Sequence, residues 1–207
     1  MSEDDQFSRR ELLRNIGTSV ALATYGAGVV TPAAAQHIHN AVAAQKAATA
    51  KGPYAPKCFT AHEFATLQKL SELIIPADDQ SPGAREAGAA EFIDYMGSNS
   101  ADLKEIFTGG IGWLDREMQR RYEADFLNAK PDQQITMLDL IAYRKNENPE
   151  TAPGIRFFAW VRNLVTDAYY TSPVGIKDLG YMGNGAMSEF AVPAEAVQYA
   201  LKRSPFA

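Results

Sequence analysis

Residues 154–170 leave this chain little choice but a helix wrapped in other helices. Phe157, Phe158, Trp160, Val161, Leu164, Val165, Ala168 and Tyr169 occupy most of a helical circumference, and only Arg162, Asn163, Thr166 and Asp167 form a narrow polar stripe. A helix that is apolar on more than one side must be buried between neighbours. The remaining sequence offers such neighbours and no strand of useful length, since apolar residues recur at helical spacing and nowhere alternate over a useful run. The expected fold is therefore all-α, an irregular bundle of about five to six helices.

The body begins at Thr60-Ala61-His62-Glu63, a capping box in which the Thr60 hydroxyl accepts the Glu63 amide and the Glu63 carboxylate reaches back. A helix from about Ala61 to Ile75 follows, with Phe64, Leu67, Leu70, Leu73 and Ile74 on one face and Pro76 as its stop. Asp78-Asp79-Gln80-Ser81-Pro82-Gly83 is turn chemistry. The spacing then predicts helices over Ala84–Met96, over Ala101–Phe126 with a weak point at Gly109-Gly110, and over 131–142 with Pro131 in its first turn. Beyond Tyr170 the Gly-, Pro- and Tyr-rich residues from about 171 read as an irregular tail that wraps a partner, followed by a short helix from Pro193 to Leu201. Such a tail cannot build a core, but its aromatic residues suit an interface.

The first residues carry a different signal. Ser8-Arg9-Arg10-Glu11-Leu12 precedes a mildly apolar run from Asn15 to Val30, and Pro32-Ala33-Ala34-Ala35 supplies the small residues of a signal-peptidase site. Arg9 and Arg10 read as a twin-arginine export signal over residues 1–35, with cleavage after Ala35. The apolar run is too short and too Gly/Thr-rich for a spanning helix. Residues 36–58 then read as an Ala-rich short helix or mobile arm and a linker, outside the core, and residues 59–207 as the helical domain. Losing Arg9, Arg10 and Arg14 against Glu3, Asp4, Asp5 and Glu11 moves the net charge from -5 to -4. That balance speaks against nucleic acid and against an anionic membrane surface, and favours a neutral partner. Twin-arginine export carries folded proteins, usually because a cofactor is inserted first.

No cofactor site of its own is legible. One cysteine, Cys58, permits no internal disulfide, haem attachment or thiolate cluster. In an exported protein it is a candidate for an intermolecular disulfide or for simple burial. The glycines at 109–112 and 180–185 lack dinucleotide-fingerprint spacing. Asp78 and Asp79 suit a turn better than a cation site, and Glu91 with Asp94 reads as a solvated helix face. His37 and His39 could bind copper or nickel beside a new amino terminus, but a loose end is the plainer reading. His62 stands in a first helical turn without a nucleophile system around it. Trp113, Trp160, Tyr169 and Tyr170 could stack on a sugar; core packing for Trp160 and interface from Tyr170 onward is the plainer assignment.

Two blocks carry a family resemblance: Leu70-Ser71-Glu72-Leu73-Ile74-Ile75-Pro76-Ala77-Asp78 with Pro82-Gly83-Ala84 and 88–94, and Ala168-Tyr169-Tyr170-Thr171-Ser172-Pro173 with Gly175 and Leu179-Gly180-Tyr181. Together with the export signal they resemble the gluconate 2-dehydrogenase subunit 3 family, over about Phe59 to Gly183. The resemblance implies a non-catalytic small subunit of a periplasmic complex. Its partner is then a glucose-methanol-choline-type flavoprotein that holds FAD and oxidises a sugar, sugar acid or polyol, and some such complexes add a c-type cytochrome with its haem. It implies no catalytic residue here. Trp160, Tyr169, Tyr170, Pro173 and Tyr181 are the residues expected at the partner interface. The alternative is an independent periplasmic metal-assisted hydrolase or lyase using His37, His39, His62 and nearby carboxylates.

Overall fold

The structure is a computed structural model that describes residues 30–48, 54–181 and 192–203. It is all-helical among the described residues: α1 Pro32–Ala48, α2 Ala61–Ile74, α3 Ala89–Ser98, α4 Ala101–Tyr122, α5 Pro131–Ala142, a 3-10 turn Arg144–Asn146, α6 Ala152–Tyr170, α7 Pro173–Asp178 and α8 Ala194–Arg203. The two-sided helix α6 is the hub, and α2, α3, α4, α5 and α7 all pack on it. Phe157, Val161, Leu164, Val165, Ala168 and Tyr169 are each buried to 2% exposure or less, as the crowded helical wheel requires. The expected capping box at Thr60 forms, with both the Glu63 amide and the Glu63 carboxylate engaged.

Helix α4 runs unbroken through Gly109 and Gly110. The weak point expected there is a packing feature instead, because a methyl at Gly110 would fall on the Phe157 ring of α6. The arrangement is reciprocal: a methyl at Gly154 of α6 would fall on the Trp113 indole of α4. Each helix thus seats an aromatic ring on the other's bare backbone. The helix is shorter than expected, since Glu123 turns left-handed at φ 60° and caps it by donating its N–H to Gln119. Residues 84–88 form turns before α3, which starts after Gly88 at φ 83°.

Helix count exceeds the expected five to six because two segments outside the expected body helices are helical, one read as an irregular tail and the other as a short helix or mobile arm. One is α7, in what was expected to be tail: Pro173 sits in its first turn and the Ser172 hydroxyl accepts the Gly175 N–H. The other is α1. Thr31 accepts the Ala34 N–H with its hydroxyl, Pro32 opens the helix, and Ala35, Ile38 and Val42 are buried in the main core. The reading of residues 36–58 as lying outside the core is therefore corrected for this stretch. Four further contacts hold α1. Val30 donates its N–H to the Asp167 carboxylate at 3.2 Å. His39 Nε2 meets Thr171 Oγ1 at 2.9 Å and its ring packs on Phe92, while Lys46 pairs with Glu91 at 2.7 Å. Alanine spacing alone hides this face, because alanines bury a close helix contact without looking strongly apolar.

Two outcomes follow. Gly109→Ala, with nothing within 4 Å of its new methyl, should stabilise the chain by about 0.5–1 kcal/mol through helix propensity, whereas Gly110→Ala should cost about 1–3 kcal/mol by overpacking; urea denaturation of both variants measures this. A chain beginning at Gln36 loses Ala35, the first turn of α1 and the Val30–Asp167 bond, so it should be about 1–2 kcal/mol less stable than one beginning at Val30. Thermal unfolding of the two compares them directly.

Candidate partner interface

The two motif blocks meet at one hydroxyl, through contacts that span 87 and 88 residues of sequence. Tyr169 Oη lies 2.6 Å from Ser81 Oγ, donates toward the Pro82 carbonyl at 3.1 Å and reaches Asp178 Oδ2 at 3.1 Å. Burial is the main reason its phenol is held above the usual range. Beneath it the 78–84 turn is braced: Asp78 Oδ1 accepts the amides of Gln80 and Ser81, and Ala84 donates to the Ile75 carbonyl. Those two amide bonds hold the Asp78 carboxyl below its usual range. Asp78 and Asp79 accordingly sit in turn geometry, with Asp78 spending one oxygen on the backbone. Over this floor lies a cleft of about 400 Å³ lined by Gln80, Ser81, Pro82, Pro173, Lys177 and Asp178.

The residues expected to meet a partner divide into two groups. Tyr169 is 2% exposed and serves the fold, so its assignment to the interface is corrected. Tyr170, on the next position of α6, is 39% exposed, and Leu179 and Tyr181 are 61% and 58% exposed beyond α7. Pro173 is exposed beside them, and Trp160 is half-buried in a separate groove. Tyr169 and Tyr170 meet edge to face, ring centres 5.0 Å apart, so they do not form a flat stacking platform, and Trp113 lies over Gly154. Cys58 is half-buried: burial first, then the Asp94 charge, pushes its thiol up and disfavours the thiolate that disulfide exchange needs. Arg9 and Arg10 lie outside the described residues.

A family model described as gluconate 2-dehydrogenase subunit 3 matches residues 61–187. The chain belongs to that family. Among curated proteins and among solved structures, none matches it. The family match begins at the first residue of α2 and takes in the Tyr169 junction, while α1 and α8 lie outside it. Membership makes this chain a subunit of a dehydrogenase complex. No helix among the described residues is long and apolar enough to cross a membrane.

Two polar constellations went unread in the sequence. Asp94, expected on a solvated face, is wholly buried and accepts Tyr54 Oη at 2.8 Å and the amides of Lys57, Cys58 and Phe59 at 2.9, 2.9 and 3.3 Å. It ties the segment ahead of α2 to α3, and burial together with that bond holds the Tyr54 phenol high. Glu91 is also buried, against Lys46. His62 Nε2 meets Asp115 Oδ2 at 2.7 Å, while Asp115 Oδ1 accepts the Phe126 amide. Neither constellation is visible in sequence, since Asp94 and His62 lie 35 to 53 residues from these partners. Among the described residues no three His, Cys, Asp or Glu side chains are grouped to hold a metal ion. His37 and His39 lie on α1, His39 engaged with Thr171 and Phe92, so the loose-end reading of this pair is also corrected.

The hydrogen bond to Asp115 raises the His62 pKa above 6.5. A raised folded-state value means the pair contributes stability fully below the unfolded pKa and loses it as pH rises through the folded one. An NMR titration should show His62 titrating above 6.5 and Asp115→Asn returning it toward that value; an unshifted His62 in the parent chain contradicts the pairing.

Proposed function

We propose that this chain is the non-catalytic small subunit of a periplasmic FAD-dependent sugar, glycoside or polyol dehydrogenase. It carries the export signal for the complex and supports folding and stability of a glucose-methanol-choline-type flavoprotein. Electrons then pass onward, in complexes that have one, to a c-type cytochrome. The observation that carries the reading is the family match over residues 61–187, which spans α2 through α7.

Three features support it. The described surface keeps Tyr170, Leu179 and Tyr181 exposed around the Tyr169 junction, and aromatic side chains with apolar neighbours are what interface centres favour. Helix α8 has no buried residue of its own although Val197 and Leu201 share one face, so this face is available to another chain. Arg9 and Arg10 supply a signal for folded export, which suits a chain travelling with a cofactor-bearing partner. FAD belongs to that partner in this reading.

Co-expression with the flavoprotein encoded beside it, purified through a tag on this chain, should yield a yellow complex with dye-linked sugar oxidation. The chain alone should be colourless and inert. Arg9→Lys with Arg10→Lys should leave both proteins in the cytoplasm. Activity or bound metal in the isolated chain overturns the proposal in favour of the hydrolase or lyase alternative.

A further inference from the structure

A second surface differs in chemistry from the Tyr170–Tyr181 ridge. Between the end of α5 and the outer face of α6 runs a groove of about 520 Å³. Its apolar wall includes Phe158 and the half-buried Trp160, and its rim carries Arg144, Arg156 and Arg162. Arg156 and Trp160 are four residues apart, so they rise from one face of α6. A single carboxylate, Glu147, lines the groove.

Some arginines elsewhere on the surface are neutralised by carboxylates. Arg85 pairs with Glu72, and Arg120 and Arg121 both pair with Glu117. Arg144, Arg156 and Arg162 make no ion pair among the described residues and are exposed. The net charge of -5 conceals this local reversal of sign. A guanidinium binds a carboxylate through two parallel N–H bonds, and it gains most where an aromatic wall excludes water beside it. Arginine and tryptophan together are also the side chains that most often anchor protein interfaces.

The geometry points to this groove as the docking site for a carboxylate-bearing segment of the large dehydrogenase subunit. The inference rests on the accessory-subunit reading above and assigns it a second contact, apart from the aromatic ridge. Trp160 supplies the buried anchor, and the three guanidinium groups set the register of the acidic residues that approach. Binding at this groove is therefore salt-sensitive, unlike contact at the apolar ridge.

The test uses the full chain co-expressed with the flavoprotein. Arg156→Glu with Arg162→Glu should lower recovery of flavoprotein on the tagged small subunit by about tenfold or more, since facing like charges oppose docking. Arg156→Gln with Arg162→Gln should give a smaller loss, and Trp160→Ala a loss that salt does not alter. Arg85→Glu, outside the groove, should assemble as the parent does, and circular dichroism with thermal melts of each variant checks its fold. Undiminished recovery with the double reversal overturns the proposal and leaves the accessory-subunit reading standing. So does a reversal that leaves recovery intact but abolishes binding to phosphatidylglycerol vesicles, which assigns the groove to lipid. No flavoprotein recovered with the parent chain itself overturns both readings.

Discussion

Everything in this bundle depends on how closely α4 and α6 approach. Phe157 of α6 lies over Gly110 of α4, and Trp113 of α4 lies over Gly154 of α6, so each helix presents bare backbone where the other presents a ring. Such contacts replace side-chain layers with direct ring-to-backbone packing, which leaves no room for even one methyl. With the pair locked, the rest of the α6 circumference is open to α2, α3, α5 and α7. The helix buried on several sides is the scaffold for both candidate surfaces, the aromatic ridge at its C-terminal end and the arginine groove along its outer face.

Buried polar groups determine how the outlying segments join this scaffold. Asp94 gathers three consecutive backbone amides and a phenol, which turns the segment before α2 into an ordered strap. Tyr169 gathers Ser81, Pro82 and Asp178, which holds the 78–84 turn against α7. Buried carboxylates and phenols are costly unless satisfied, so these hubs specify one arrangement of the connections rather than merely adding stability. Asp167 does the same for α1 through Val30, and burial holds that carboxyl above its usual range. Helix α1 is thus committed to the core from its first turn, where Ala35 is buried.

Function divides along the same line as structure. The hydroxyl at the centre of the family motif is an internal brace, and the neighbours it positions, Tyr170 and Tyr181, face outward. A motif that combines a folding role with an exposed rim suits a subunit whose work is to present a surface. The arginine groove has a different character from the aromatic ridge, and under the proposal one partner is held by apolar area and oriented by charge.

Periodicity and capping chemistry by themselves determined the helical class, the positions of α2, α5 and α6 and the capping box at Thr60, because these are properties of neighbouring residues within a turn or two, and the family was legible from the resemblance of two motif blocks. The sequence could not show that Gly110 is a seat for Phe157 rather than a break, since glycine in a helix looks weak until the ring above it is known. Nor could it show that Asp94 is buried or that Tyr169 turns inward, because each depends on hydrogen-bond partners 35 to 88 residues distant. The alanine-rich face of α1 gave no strong apolar signal, and only the close approach of α3 made it core. Local chemistry chose the elements; long-range hydrogen bonds and ring-to-backbone contacts chose which of their faces remain exposed.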